Sequence, residues 1–191
     1  MAGMAAIVVP FRGEDGKSRL PAEIRSPLAL AMLGDVLAAC GEIGRATLVT
    51  NDGPARALAA ELGAGVCDDP GGGQGAAVAA ALAALEGPVL VVNADLPCVT
   101  PAELAALLEA APALVEAADG TTNALSLADS VRFAPLYGPG SAARFRAHLP
   151  GIAVVALPGL ADDVDTLADL ERLLGRVGPR TRAALAAVEA A

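Results

Sequence analysis

Residues able to do chemistry gather in a few short stretches of this 191-residue chain. NADLP, at 93–97, presents Asp95 just past a continuous apolar run, where a carboxylate is costly unless it is solvated, hydrogen-bonded or bound to a metal. DDVDT, at 162–166, clusters Asp162, Asp163 and Asp165, any of which could add a second carboxylate. Acids just before a helix are equally well explained by its positive end. Hard oxygen donors of this kind suit Mg²⁺, which takes one or two protein carboxylates and fills its shell with phosphate oxygens and water. DPGGGQG, at 69–75, has a backbone at Gly72 and Gly73 that can approach a nucleobase or ribose, with Gln74 as a hydrogen-bonding partner; the same glycines are what a turn needs. GKSRLP, at 16–21, brings Lys17 and Arg19 into a Gly-containing loop suited to phosphates. It is not a P-loop, because GxxxxGK[ST] requires glycine at position 11, where Phe11 stands. DGTTN and GPGS add hydroxyls and backbone donors from Thr121, Thr122, Gly138, Gly140 and Ser141, suitable for a phosphate or a carboxylate. No GxSxG elbow or nucleophilic triad is present, and the lone His148 reads as structural.

These stretches must be placed by regular elements, and the chain alternates strand-like apolar runs with helix-like segments, which predicts an α/β domain with a largely parallel sheet. Strands are expected at 5–10, 46–50, 65–69, 88–92, in ALVEAAD and NALSLAD, and at IAVVAL. Helices are expected from a Ser26–Pro27 cap to about Cys40, after NDGP, from the Gly-rich loop to Gly87–Pro88, from Thr100–Pro101, up to His148, from Thr166 to about Leu174, and at the C-terminal end. Ligands in open α/β sheets bind outside the carboxyl ends of the strands, so the loops after strands one, three and four should share one crevice.

Composition narrows the class. The length suits one domain, spanning 1–191. A net charge of −9 argues against a nucleic-acid surface, and 2% aromatic residues leave little for base stacking. No purely apolar run reaches the roughly 18 residues of a membrane span, and the N-terminal stretch lacks the basic start and cleavage region of a signal peptide; a cytoplasmic protein is expected. Cys40, Cys67 and Cys98 are far apart with no CxxC, which argues against a disulfide framework. Spare apolar surface leaves a homodimer open. In a chain so rich in Ala, Gly, Arg and Pro, each Lys or Asn carries somewhat more information.

Together GKSRL, the DPGGG loop, NADLP, GPGS and DVDTLADL, in this order and over nearly the whole chain, resemble the CofC/FbiD family of 2-phospho-L-lactate or phosphoenolpyruvate guanylyltransferases of coenzyme F-420 biosynthesis. The resemblance implies a single-domain, three-layer α/β/α fold of the nucleotide-diphospho-sugar transferase type, GT-A-like and Rossmann-like. It implies Mg²⁺ as cofactor, held by Asp95 and by Asp163 or Asp165. It further implies GTP and a phosphorylated three-carbon acid as substrates, with Lys17 and Arg19 on the nucleotide phosphates and Thr122, Gly138 and Ser141 on the acid. Gly72, Gly73 and Gln74 would face the nucleotide. Two departures stand out: Arg12 where the family often has Lys, and GGGQGAA where an Asn following Leu is expected. A molybdenum-cofactor type cytidylyl- or guanylyltransferase is a second reading, though the usual LAxGxSxRMGxxK stretch is replaced here by FRGEDGKSRL. A nucleotide-binding regulatory module without catalysis is a third.

Overall fold

In the computed structural model, residues 5–13 and 20–189 are described. The first strand, β1 (Ala6–Pro10), alternates Ile7 and Val9 toward one face and Val8 toward the other, and all three are fully buried. A strand covered on both faces reads as an unbroken apolar run, as expected for a parallel sheet between helical layers. The chain continues through α1 (Ala22–Ile43), β2 (Arg45–Val49), α2 (Gly53–Glu61), β3 (Gly65–Cys67), α3 (Gln74–Leu82), β4 (Val89–Val92) and α4 (Pro101–Glu109). It ends with β5 (Ala113–Glu116), β6 (Thr122–Leu127), α5 (Ser141–His148), β7 (Ala153–Val154), α6 (Pro158–Ala161), α7 (Leu167–Leu173) and α8 (Pro179–Glu189).

The seven strands lie in the order β3-β2-β1-β4-β6-β5-β7. All pair in parallel except β6, which runs antiparallel to both β4 and β5. This mostly parallel three-layer sandwich is the fold class expected from the sequence. One layer, with α1, α2, α4 and α6, packs on Ile7, Val9, Leu90 and Val92; the other, with α3 and α5, packs on Val8, Val89, Val91 and Leu125. A third apolar cluster joins Leu28 and Met32 of α1 to Leu170 and Leu173 of α7.

Three element boundaries depart most from expectation. α1 begins at Ala22, not at Ser26–Pro27, and carries Pro27 inside its second turn. Arg25 secures this earlier start by donating twice to the Leu20 carbonyl, at 3.2 and 2.8 Å. α3 stops at Leu82, short of Gly87–Pro88. β7 keeps only two residues of IAVVAL, because it is an edge strand paired to β5 alone and the chain turns into α6 at Pro158. α1 is long and apolar enough to cross a bilayer by length and composition, but 56% of its apolar window is buried inside the protein. It is the central helix of one layer. Cys40, Cys67 and Cys98 are free thiols.

Candidate active site

β4 delivers the NADLP segment at its carboxyl end. The backbone there is strapped to the second acidic stretch, since the Asp95 carbonyl accepts from Val164 N at 3.1 Å. One ligand oxygen from each of Asp95, Asp163 and Asp165 therefore lies within 4.8 Å of the others. The next helix fixes this arrangement. Thr166 and Asp169 form a reciprocal capping box at the start of α7, and Asp169 Oδ2 also accepts from Asp165 N at 3.2 Å. Asp162 takes no part in the trio. Its two oxygens each accept from a guanidinium at 2.7 Å, one from Arg172 and one from Arg176. Burial pushes the Asp162 carboxyl upward, but these two cations outweigh it and hold it below the ordinary carboxylate range.

Asp163 is shifted the other way. Burial comes first, then the charge of Asp95, and together they raise its carboxyl above the ordinary value despite a hydrogen bond from Asn123. Three converging carboxylates repel one another when ionised. A divalent cation removes that repulsion, and an all-oxygen donor set matches Mg²⁺ rather than a metal that prefers nitrogen or sulfur. The residues present fit the cofactor.

The carboxyl ends of β1 and β4 and the loop before α3 surround a cleft of about 220 Å³, lined among others by Phe11, Arg12, Asp69, Gln74, Asn93 and Asp95. Gly71, Gly72 and Gly73 have φ of 80°, 82° and 105°, a run that side-chain-bearing residues rarely adopt. Arg12 lies close over this loop, for a Cβ on Gly73 would come 3.4 Å from its guanidinium. Gln74 opens α3 and donates through Nε2 to Asn93 Oδ1 at 2.7 Å. On the neighbouring loop, Asn51 and Asp69 are joined by two bonds, Asn51 Nδ2 to Asp69 O at 2.8 Å and Asp69 N to Asn51 Oδ1 at 3.1 Å. Lys17 and Arg19 lie outside the described residues.

Thr122 and Ser141 are brought together, but against each other. Thr122 N donates to Ser141 Oγ at 2.9 Å, Ser141 Oγ donates to Thr122 Oγ1 at 3.1 Å, and both residues are buried. They tie the start of β6 to the N-terminus of α5. Gly138, with φ of 109°, sits in the preceding loop, which Arg144 holds by donating to the carbonyls of Leu136, Tyr137 and Pro139.

Asn93, Asn123 and Arg144 are not among the site residues expected from the sequence, where Arg12 figures only as a departure from the family pattern. The asparagines had one signal. The whole chain contains three, Asn51, Asn93 and Asn123, and all three hydrogen-bond around this end of the sheet.

A cleft beside a carboxylate trio at the carboxyl edge of such a sheet suits a nucleotidyltransferase, and a family model described as the MobA-like NTP transferase domain matches residues 16–187. The architecture also matches, at a TM-score of 0.69 and 17% identity, a solved protein of Desulfovibrio desulfuricans G20 described as a nucleotide-diphospho-sugar transferase, covering 98% of this chain and 96% of that one. The phosphoenolpyruvate guanylyltransferase of Streptomyces coelicolor is 40% identical over 94% of this chain and 95% of its own length. That of Nocardia farcinica is 40% identical over 94% and 89%. The chain belongs to the MobA-like NTP transferase family and, within it, to the phosphoenolpyruvate guanylyltransferases.

Proposed function

We propose that this protein moves GMP from GTP onto the phosphate of phosphoenolpyruvate and releases pyrophosphate, in a Mg²⁺-dependent reaction. The observation that carries the reading is the convergence of Asp95, Asp163 and Asp165 within 4.8 Å beside the cleft, in a chain 40% identical to relatives of that name.

The acceptor phosphate is already ionised at neutral pH, so one of its oxygens attacks the α-phosphorus directly. A new P–O bond forms, the bond from the α-phosphorus to the bridging oxygen breaks, and that oxygen leaves with pyrophosphate. No protein nucleophile and no general base are needed. The protein's task is alignment and charge neutralisation. Asp95, Asp163 and Asp165 would hold the cation, which when bound supplies positive charge to the reacting phosphates. Arg12 over the Gly-rich loop, with Lys17 and Arg19, would supply the remaining positive charge on the nucleotide side. Gly72, Gly73 and Gln74 would seat the nucleoside. The Thr122–Ser141 pair and Gly138 would shape the acid's side of the site. GTP and a phosphorylated acid are intracellular metabolites, which fits a cytoplasmic enzyme of coenzyme F-420 biosynthesis.

The test is a panel: purified protein and Mg²⁺ with GTP or CTP, against phosphoenolpyruvate, 2-phospho-L-lactate or 3-phospho-D-glycerate, followed by mass detection of product. The reading expects the GTP and phosphoenolpyruvate pair to give the fastest product formation. Faster turnover with another acceptor reassigns the acid, and preference for CTP overturns the guanylyl reading.

A further inference from the structure

We propose that Asn123 is a positioning residue for the carboxylate trio, and that Asn93 and Gln74 fix the orientation of its amide. The inference rests on the metal-dependent reading above and deepens it. Asn123 is 2% exposed and stands at the start of β6. Its side chain faces the Ala161 carbonyl, which can only accept, at 3.2 Å, and Asp163 Oδ1 at 3.4 Å. The end facing them must be the NH₂ group. Its Oδ1 is thereby turned toward Asn93, 3.4 Å from Nδ2, and that same Nδ2 reaches the Thr122 carbonyl at 3.3 Å. Asn93 Oδ1 then faces Gln74 and receives its Nε2 at 2.7 Å.

The polarity of three amides thus follows from the Ala161 carbonyl, which has no donor to offer, and it leaves the Asn123 NH₂ group beside Asp163. Every donor in the series points from the Gly-rich loop toward the trio, and reversing any one amide sets two acceptors or two donors against each other. The backbone supports the series where it crosses from β4 to β6, through Asn93 N to Asn123 O at 2.9 Å. The link at Gln74 is short, whereas those from Asn93 to Asn123 and from Asn123 to Asp163, both 3.4 Å, are long for N–H···O bonds. The relay is therefore anchored at its nucleotide end and slack at Asp163. Groups that orient metal ligands in this way change metal affinity when removed, although they never touch the ion.

The experiment follows Mn²⁺ as the probe, by electron paramagnetic resonance of the free ion, in the wild type and in Asn123→Leu and Asn93→Leu, both close in size and without a donor. Thermal melting checks that each variant is folded. Asn123→Leu is expected to weaken Mn²⁺ binding about 10- to 100-fold. Asn93→Leu should weaken it by a smaller factor, on the order of 3-fold, because it frees the Asn123 amide to turn without removing it. In turnover both should raise the Mg²⁺ requirement more than the KM for GTP. Mn²⁺ affinities within twofold of wild type in both folded variants would overturn the proposal, whatever their melting temperatures, because a merely structural role moves stability alone. Failure of the underlying reading looks different: the wild type itself would form no guanylylated product.

Discussion

Asp163 meets two opposed demands. In the proposed reaction it would hold a cation and so be ionised, yet burial and the neighbouring Asp95 raise its carboxyl above the ordinary value. A carboxyl whose folded value lies above its unfolded one favours the protonated folded state. Its contribution to stability is therefore fully present below the unfolded value and lost as pH rises through the raised folded value. Metal-free protein should lose melting temperature over that rise, and Mg²⁺ should restore it. Asp163→Asn should remove the pH-dependent loss, melt higher than wild type in chelator at neutral pH, and show greatly reduced turnover. Melting curves across pH, with and without chelator, check the sign. At this scale the sequence was legible where a polar residue followed an apolar strand, as at Asp95. Within DDVDT the residue types alone leave Asp162, Asp163 and Asp165 alike; the family resemblance sets Asp162 aside, and the fold shows it committed to Arg172 and Arg176.

Elements place these residues through their ends. The capping box of α7 both starts the helix and holds the backbone of Asp165, so Thr166→Ala should cost about 1 kcal/mol of stability. It should also weaken Mn²⁺ binding, whereas Leu167→Ala, one residue on and 44% exposed, should change neither appreciably. Chemical denaturation and Mn²⁺ titration together separate the two effects. On the other layer, Gly75 in the first turn of α3 lies against Pro135, where an added Cβ would come 2.8 to 3.0 Å from Pro135 atoms. Gly75→Ala should therefore displace α3 and its Gln74, at a cost of about 1–3 kcal/mol and with a raised KM for GTP measured in steady-state turnover. Caps such as Thr100–Pro101 and Thr166 were readable because their chemistry is local. Asn123 was not, because the rule that sites lie at carboxyl ends of strands holds for parallel strands. β6 is antiparallel and offers its amino end to the same edge, beside Asn93.

At the scale of the whole molecule, a buried acid of α1 ties down the start of the C-terminal helix. Asp35 of α1 accepts from Arg180 N at 3.0 Å and from Thr181 N and Oγ1 at 2.9 and 2.7 Å, capping α8 from another helix. Gly178 gives this carboxylate room, for a Cβ there would fall within 2.6 Å of its atoms. Asp35→Ala should leave three donors without an acceptor, two of them backbone N–H groups, and cost about 3 kcal/mol. It should lower the melting temperature by roughly 6–12 °C while leaving kcat of the folded enzyme close to wild type. A partnership across 146 residues leaves no trace in local pattern. The alternating strands and helices were legible at this scale because each apolar run announces its own burial. The antiparallel β6 and the clasp at Asp35 were not, since both depend on which distant element becomes a neighbour.

Metal-supported guanylyl transfer at the Asp95 carboxylate is checked by product formation from GTP, phosphoenolpyruvate and Mg²⁺ by wild type and by folded Asp95→Asn, with pyrophosphate and the guanylylated acid measured together. Equal amounts of both products are expected from wild type, and a loss of about 10³-fold or more in the variant, roughly 4 kcal/mol of transition-state stabilisation. Wild-type rates from the variant at saturating Mg²⁺, or no guanylylated phosphoenolpyruvate from the wild type, would contradict it.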